Sequence, residues 1–304
     1  MRERSSGRVS AQVALPKRRR WLRWGAHWLI VLVVLLFFAM PVVWLLSVSF
    51  KPPQEWQAFP PTVIPRGPTL NNYLLLVNPE LPKGSASYML RVTEPVTKSF
   101  INSLIIVPIA TLISAMVGFL AAYGVSRYRV GGDFMPFFVL TTRMFPPVAF
   151  AVPLLVYYQN LRLIDTRLGM IIIYAGFTVA FSLWMMKGFI DAVPRSVEEA
   201  AILDGASRWR VLFTITLPLV KGGLAATALF VFILNWTEFL YALIFTSTRS
   251  ITVPVQLSHY VGAVGRFYGP QAALGVIASI PAVIFGYLIQ RHLVTGFSFG
   301  LIRK

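Results

Sequence analysis

The sequence predicts an all-α membrane protein with six transmembrane helices. Hydrophobic residues make up 56% of its 304 residues and charged residues only 13%, and the mean hydropathy is +0.68. A soluble domain of this size has about a quarter charged residues, so most of this surface must meet lipid or protein. Six apolar runs are long enough to cross a bilayer at about 1.5 Å per residue.

The N-terminal segment is strongly basic. We predict a cytoplasmic tail over residues 1–27, disordered up to about residue 24, and a first transmembrane helix over the 23 uncharged residues 28–50. The basic residues that precede this helix, against the single acid Glu3, are Arg2, Arg4, Arg8, Lys17, Arg18, Arg19, Arg20 and Arg23. Such a cluster is the positive-inside signal and attracts anionic lipid headgroups. The net charge of +17 therefore indicates membrane orientation rather than nucleic-acid binding.

The rest of the chain divides into five further apolar runs and their connections. Nine prolines and no helical period predict an irregular external segment over residues 51–98. We place a core domain at 99–294 and a cytoplasmic tail at 295–304. The five further helices are predicted at residues 99–126, 134–158, 168–186, 222–245 and 271–290.

The distribution of basic residues orients these six helices. An even number of crossings puts both termini on one side of the membrane. With 159–167 and 246–270 as external loops, 18 lysines and arginines fall on the side of the termini and 9 on the other. The bias predicts cytoplasmic termini. It also places the polar segment 194–218 in the cytoplasm.

Segment 194–218 is predicted to form two short helices joined by a turn. Ser196 and Glu199 have the spacing of a capping box, which starts a helix. Gly205 can end that helix, since glycine adopts a left-handed conformation without a Cβ penalty. Ser207 can cap the second helix, and Pro218 is expected to stop it.

The same segment has charged residues around small or medium apolar ones. Its charged side chains are Arg195, Glu198, Glu199, Asp204, Arg208 and Arg210. A helix pair of this composition between two membrane spans is expected to lie on the surface. It therefore predicts a docking site for a soluble partner.

Segment 194–218 resembles the EAA loop of bacterial ABC-importer permeases. The match covers Glu199-Ala200-Ala201, Gly205, Ile215, Leu217 and Pro218 with nothing inserted or lost. The resemblance implies the transmembrane domain of a type I ABC importer. It also implies that the loop is a coupling helix seated in a groove of a cytoplasmic ATPase. The coupling residues expected on this basis are Glu198, Glu199, Ala200, Ala201, Asp204, Gly205, Ile215, Leu217 and Pro218.

The resemblance extends over roughly residues 28–300 and is most specific to the maltose-type, carbohydrate-uptake branch. Similar stretches are 60–73, Asn102-Ser103, 163–169, 236–240 and the tail from Gly296. Two departures are Thr237, where relatives have asparagine, and the ending Ile302-Arg303-Lys304, which affects only expected tail contacts with the ATPase. The implied partners are two ATP-binding subunits, a second homologous permease subunit in a heterodimer, an external solute-binding protein and the lipid of a bacterial inner membrane.

Arg143 is the most unusual residue of the predicted third helix. A charge within a membrane costs about 2.5–3.5 kcal/mol on insertion scales and usually faces a cavity or a partner. Met144, Phe145 and two prolines follow, and a helix broken by prolines is tolerated where it lines a polar cavity. We predict that residues 143–145 contact or gate the solute. The alternative is a salt bridge from Arg143 to the companion permease.

The predicted fifth helix contributes Asn235 and Glu238. Their spacing puts both on one helix face, where a carboxamide and a carboxylate can hydrogen-bond to solute hydroxyls. Polar packing between helices is the equal alternative.

The sequence has no nucleophile–base arrangement, metal-ligand cluster or phosphate loop. We therefore expect no enzymatic activity, no cofactor and no metal in this chain, and assign ATP and Mg²⁺ to the partner ATPases. A neutral sugar or polyol is the expected solute, although Arg143 also allows a glycerol phosphate or another anion. Two other classes remain: a self-sufficient secondary transporter, for which we find no inverted repeat, and a membrane scaffold without transport.

Overall fold

The computed structural model describes residues 17–78, 95–132, 134–262 and 265–301, and nearly all of this part is helical. In chain order its elements are α1 (Lys17–Ser49), a 3₁₀ turn (Pro53–Glu55), α2 (Asn71–Val77), α3 (Val96–Tyr128), α4 (Met135–Thr141), a 3₁₀ turn (Thr142–Met144), α5 (Pro147–Asn160), α6 (Arg167–Asp191), α7 (Arg195–Leu203), α8 (Arg208–Val211), a π-helical turn (Leu212–Thr216), α9 (Leu217–Leu219), α10 (Lys221–Trp236), α11 (Leu240–Phe245), α12 (Val253–Ser258), β1 (Val261–Gly262), β2 (Gly265–Arg266) and α13 (Tyr268–Leu301). The two short strands pair antiparallel. The predicted all-α class is confirmed.

Among the described residues, four helices are long and apolar enough to cross a membrane: α3, α6 and the apolar parts of α1 and α13. Two bent pairs also qualify by length and composition. Met135–Met144 meets Pro147–Asn160 at 91°, and Arg208–Leu219 meets Lys221–Trp236 at 76°. Counting each pair as one span gives up to six, which is the predicted number.

The ends of the described chain are more helical than predicted. Disorder up to residue 24 is wrong from Lys17 onward, because lysine and arginine are good helix formers and no glycine or proline interrupts residues 17–24. Residues 1–16 lie outside the described part. At the other end α13 continues to Leu301, so the tail predicted from residue 295 is helical up to that point.

Both the segment predicted as irregular, 51–98, and the predicted loop 246–270 contain local structure. Within 51–98, helix α2 is tied to the end of α1, since the Asn72 amide donates to the carbonyls of Ser49 and Lys51 at 2.9 and 2.8 Å. Residues 79–94 lie outside the described part. Within 246–270, helix α12 and the β1–β2 hairpin precede α13. Their short lengths explain why no helical period is visible in the sequence.

The centre of the fold is the close packing of α3 on α6. Gly118 permits this approach: a Cβ built there would lie 2.2 Å from the Ser182 Cβ and 2.8 Å from the Leu183 backbone nitrogen. The hydroxyls of Ser114 and Ser182 hydrogen-bond at 2.9 Å in the same buried contact. Small residues that let backbones meet are the usual contact between membrane helices.

The third and fifth predicted spans are interrupted. In the third, Phe145 is extended (φ −67°, ψ 139°) as expected before a proline, and the predicted break is confirmed. The fifth, predicted as one helix over 222–245, is broken at 237–239 between α10 and α11. Asn235 and Glu238 therefore do not share one continuous helix face, which corrects the prediction.

Gly118→Ala should lower the free energy of unfolding by about 1–3 kcal/mol, the usual cost of overpacking a close contact. Unfolding of the purified chain in mixed micelles measures this change. Gly188→Ala in α6 is the matched control, because nothing lies within 4 Å of a Cβ at that position. Equal stability of the two variants would contradict the close α3–α6 approach.

Candidate functional site

The loop 194–218 begins at a proline rather than at a capping box. Pro194 is the N-terminal flanking residue of α7 with φ −60° and ψ 130°, and no side chain caps the helix. Ser196 lies inside α7, so the predicted capping box with Glu199 is wrong. The fixed φ of proline already sets the chain direction needed to enter the helix. Glu199 is left exposed to solvent.

The turn between the two loop helices is built as predicted. Gly205 has φ +87°, in the left-handed region that favours glycine. The N–H of Ala206 donates to the Ala201 carbonyl at 3.0 Å, which closes the end of α7. The Ser207 hydroxyl then accepts from the Arg210 N–H at 3.4 Å and caps α8.

Pro218 does not stop the second loop helix. The chain passes through the π-helical turn Leu212–Thr216 and stays helical to Leu219 before it bends by 76° into α10. A wider turn directly before a proline accommodates its ring and its missing N–H. The predicted end of the helix is thus displaced to Val220.

Glu198 is buried rather than displayed, with 5% exposure. Its carboxylate accepts from Arg127 Nε at 2.7 Å and from the Thr216 hydroxyl at 2.8 Å. Arg127 also donates to the carbonyls of Ile190 and Val193 at 2.9 and 3.0 Å. This network, the Glu198 anchor, joins α7 to the ends of α3 and α6 and to the π-helical turn. Its Glu198 carboxylate therefore lies beneath the predicted docking surface and is not part of it.

The remaining predicted coupling residues divide into exposed and supporting ones. Glu199, Ala200, Asp204, Gly205 and Pro218 are exposed, whereas Ala201, Ile215 and Leu217 are partly buried. Leu217 packs on the buried cluster formed by the ends of α3 and α6.

The exposed side of the loop also displays large apolar side chains. Leu203 is 88% exposed and Trp209 67%, and Ile202 and Val197 are exposed as well. An exposed apolar patch rimmed by charges is typical of a protein-docking surface. Their exposure could not be predicted from the sequence, because apolar side chains at these positions could equally pack in the hydrophobic core.

A second candidate site is a cavity of about 250 Å³ where the two broken spans meet. Its lining residues are Arg143, Phe145, Pro147, Tyr174, Phe177, Thr178, Phe181, Asn235, Glu238, Leu240 and Tyr241. Four predicted pathway residues therefore come together. Met144 does not line the cavity and is 82% exposed.

Arg143 lies over two aromatic rings of α6. Its guanidinium carbon is 4.8 Å from the Phe177 ring centroid and 4.9 Å from that of Phe181. Cation–π contacts of this kind stabilise a positive charge away from water. Sequence reasoning missed both rings, although their i, i+4 spacing in the neighbouring span was a usable signal.

Glu238 and Asn235 hold the second break together. The Glu238 carboxylate accepts from the N–H groups of Tyr241 and Ala242 at 2.9 and 3.2 Å, and so satisfies the start of α11. The Asn235 amide is 2% exposed and approaches the hydroxyls of Thr111 and Thr178 at 3.4 and 3.5 Å. Both side chains thus have structural partners at the cavity wall.

Residues 114–298 match the family described as binding-protein-dependent transport system inner membrane component. The chain belongs to this family. The predicted class of ABC-importer permease is confirmed. The family match also shows that the chain is a membrane component.

Several relatives cover almost the whole permease. The trehalose/maltose transport system permease protein MalG of Thermococcus litoralis is 34% identical over 86% of this chain and 91% of its own length. The trehalose transport system permease protein SugB of Mycobacterium tuberculosis is 29% identical over 92% and 98%. A crystal structure of a bacterial ABC transporter for import of the acidic polysaccharide alginate has the same fold, with a TM-score of 0.69 at 19% identity over 92% and 99%.

Asp165 fastens together the C-terminal halves of the two broken spans of the permease. Its backbone N–H donates to the Phe245 carbonyl at 2.9 Å, and its carboxylate accepts the N–H groups of residues 247–250 at 2.9–3.1 Å. These contacts tie the turn after α5 to the segment after α11. Partial burial by itself would raise the pKa of Asp165, but the hydrogen bonds from residues 249, 250, 247 and 248 hold it below its usual range.

Glu198→Ala should lower the free energy of unfolding by about 3–5 kcal/mol, because it leaves Arg127 buried without its partner. The neighbouring exposed Glu199→Ala is the matched control, with an expected change within about 0.5 kcal/mol. Denaturant titration in mixed micelles compares them. A negligible effect of Glu198→Ala would show that the network does not anchor α7.

Asp165→Asn should lower the melting temperature at neutral pH, since an amide cannot accept all of these hydrogen bonds. A depressed pKa gives stability that is present above the ordinary aspartate pKa of about 4 and is lost as pH falls through the folded value. The difference in melting temperature between wild type and the variant should therefore be constant from pH about 7 to about 4 and become smaller below pH about 4. Melting curves of both proteins across this pH range test the expected pH dependence. A melting-temperature difference that grows toward acidic pH would contradict it.

Proposed function

We propose that the permease is one transmembrane subunit of an ATP-driven importer that carries a carbohydrate across the cytoplasmic membrane. The names of its relatives support the cargo class. The cavity supports it as well, because aromatic rings beside an arginine, an amide and a carboxylate are groups that stack on and hydrogen-bond to sugars. The observation that carries the proposal is the exposed apolar and charged surface of loop 194–218.

The loop is the contact for one of two ATP-binding subunits, which bind and hydrolyse ATP with Mg²⁺. A second homologous permease subunit completes the pathway as a heterodimer. Since the family depends on a binding protein, an external solute-binding protein delivers the cargo. The charge bias of the sequence supports cytoplasmic positions for both termini and for the loop.

Closure of the ATPases moves loop 194–218, and the Glu198 anchor transmits this displacement to α3 and α6. Helix α6 carries Phe177 and Phe181, which line the cavity, and α3 carries Thr111, which contacts the lining residue Asn235. ATP changes the accessibility of the cavity only through its different affinity for the two states. Transport is thus coupled to hydrolysis without a catalytic residue in this chain.

Gly205→Asp and Glu199→Lys should abolish ATP-driven uptake and leave membrane insertion intact. The first strains a left-handed turn on the docking surface, and the second reverses a charge there. Gly132→Asp is the matched control, because Gly132 also has a positive φ of +70° and open space around it but lies in the turn after α3. Uptake by reconstituted complexes measures the effect. Full uptake by both loop variants would remove the coupling role.

Copurification and solute capture test the assignment as a whole. Purification of the tagged permease should bring down the two ATPases and the companion permease, and the solute-binding protein should retain sugars or polyols. Uptake by this chain alone, driven by an ion gradient, would instead make it a secondary transporter. Copurification without any solute uptake would point to a scaffold.

A further inference from the structure

The cavity at the two broken spans is lined by one cation and one anion. Its only charged lining residues, within the described part of the chain, are Arg143 and Glu238. Both carboxylate oxygens of Glu238 already accept N–H groups of α11. Arg143, in contrast, has no hydrogen-bond acceptor or carboxylate within salt-bridge distance in the residues described, and its guanidinium lies over the Phe177 and Phe181 rings.

The stacked position of Arg143 leaves its hydrogen-bonding edge available. A planar guanidinium that stacks on rings still presents five N–H donors around its rim. Those donors match the paired oxygens of a carboxylate, sulfonate or phosphate ester. A guanidinium within a membrane is expensive while its N–H groups lack acceptors, so a ligand that supplies anionic oxygens accounts for its presence.

We propose that the imported carbohydrate is acidic and that Arg143 binds its anionic group in this cavity. This inference rests on the proposed function and narrows its cargo. Arg143 lines this cavity of about 250 Å³ and also a second one of about 560 Å³, and the second lies within the roughly 300–1,000 Å³ of small-ligand sites. Phe145, Tyr174 and Tyr241 supply apolar walls for the sugar ring, and Asn235 supplies a polar one.

The first arm of the test uses the cognate solute-binding protein and a panel of matched probes. The panel pairs cellobiouronic acid with cellobiose, sulfoquinovose with glucose and glycerol 3-phosphate with glycerol. Retention of an acidic member in preference to its neutral partner supports the proposal. Retention of neutral members alone overturns it and leaves the proposed function standing, whereas retention of none contradicts the proposed function itself.

The second arm measures ATP-driven uptake of the retained acidic probe by the full complex in liposomes of neutral lipid. Arg143→Gln should reduce uptake by about tenfold or more at low probe concentration, the factor expected for one lost charge-assisted contact. Arg143→Lys keeps the charge and should retain transport with a raised KM. Arg129→Gln, in the exposed turn after α3, is the matched control. Uptake by Arg143→Gln equal to wild type, or loss in the lysine variant as deep as in the glutamine variant, would overturn the role of Arg143 in binding the anion.

Discussion

The buried ion pair between Arg127 and Glu198 is the interaction on which the coupling architecture depends. Both side chains are nearly inaccessible, at 7% and 6% exposure, so each would be costly without the other. Arg127 also donates to the carbonyls of Ile190 and Val193, and the Thr216 hydroxyl donates to Glu198. The same contact therefore makes loop 194–218 a continuation of the helical bundle. In the proposed function, a load on the exposed face of α7 is passed to α3 and α6 through these contacts.

The second constraint is that backbone groups within a membrane need partners. Two spans are broken at the cavity, and each break finds partners in other elements. The Glu238 carboxylate satisfies the start of α11, and the Tyr241 hydroxyl reaches the Pro147 carbonyl at 3.4 Å. Asp165 then fastens the turn after α5 to the segment after α11. These contacts join α5 and α11 to each other beside the cavity.

The sequence predicted features that depend on local chemistry. Long apolar runs gave the number of spans, two consecutive prolines gave the break after Arg143, and Gly205 gave the left-handed turn. Features that depend on distant partners were missed. Glu198 and Arg127 are 71 positions apart, so nothing local shows that this carboxylate is buried while the next one is exposed. Glu238 likewise read as a helical residue, because its role in starting α11 depends on a break that no proline or glycine marks.

In the proposed function, force enters the permease at the exposed tip of α7. The chain has no cysteine, so Leu203→Cys provides a single labelling site at a side chain that is 88% exposed. A membrane-impermeant maleimide should leave this cysteine unmodified in intact cells, label it in inside-out vesicles stripped of ATPase, and be blocked again when the ATPase is restored. Labelling from outside intact cells, or labelling unaffected by the ATPase, would contradict the account.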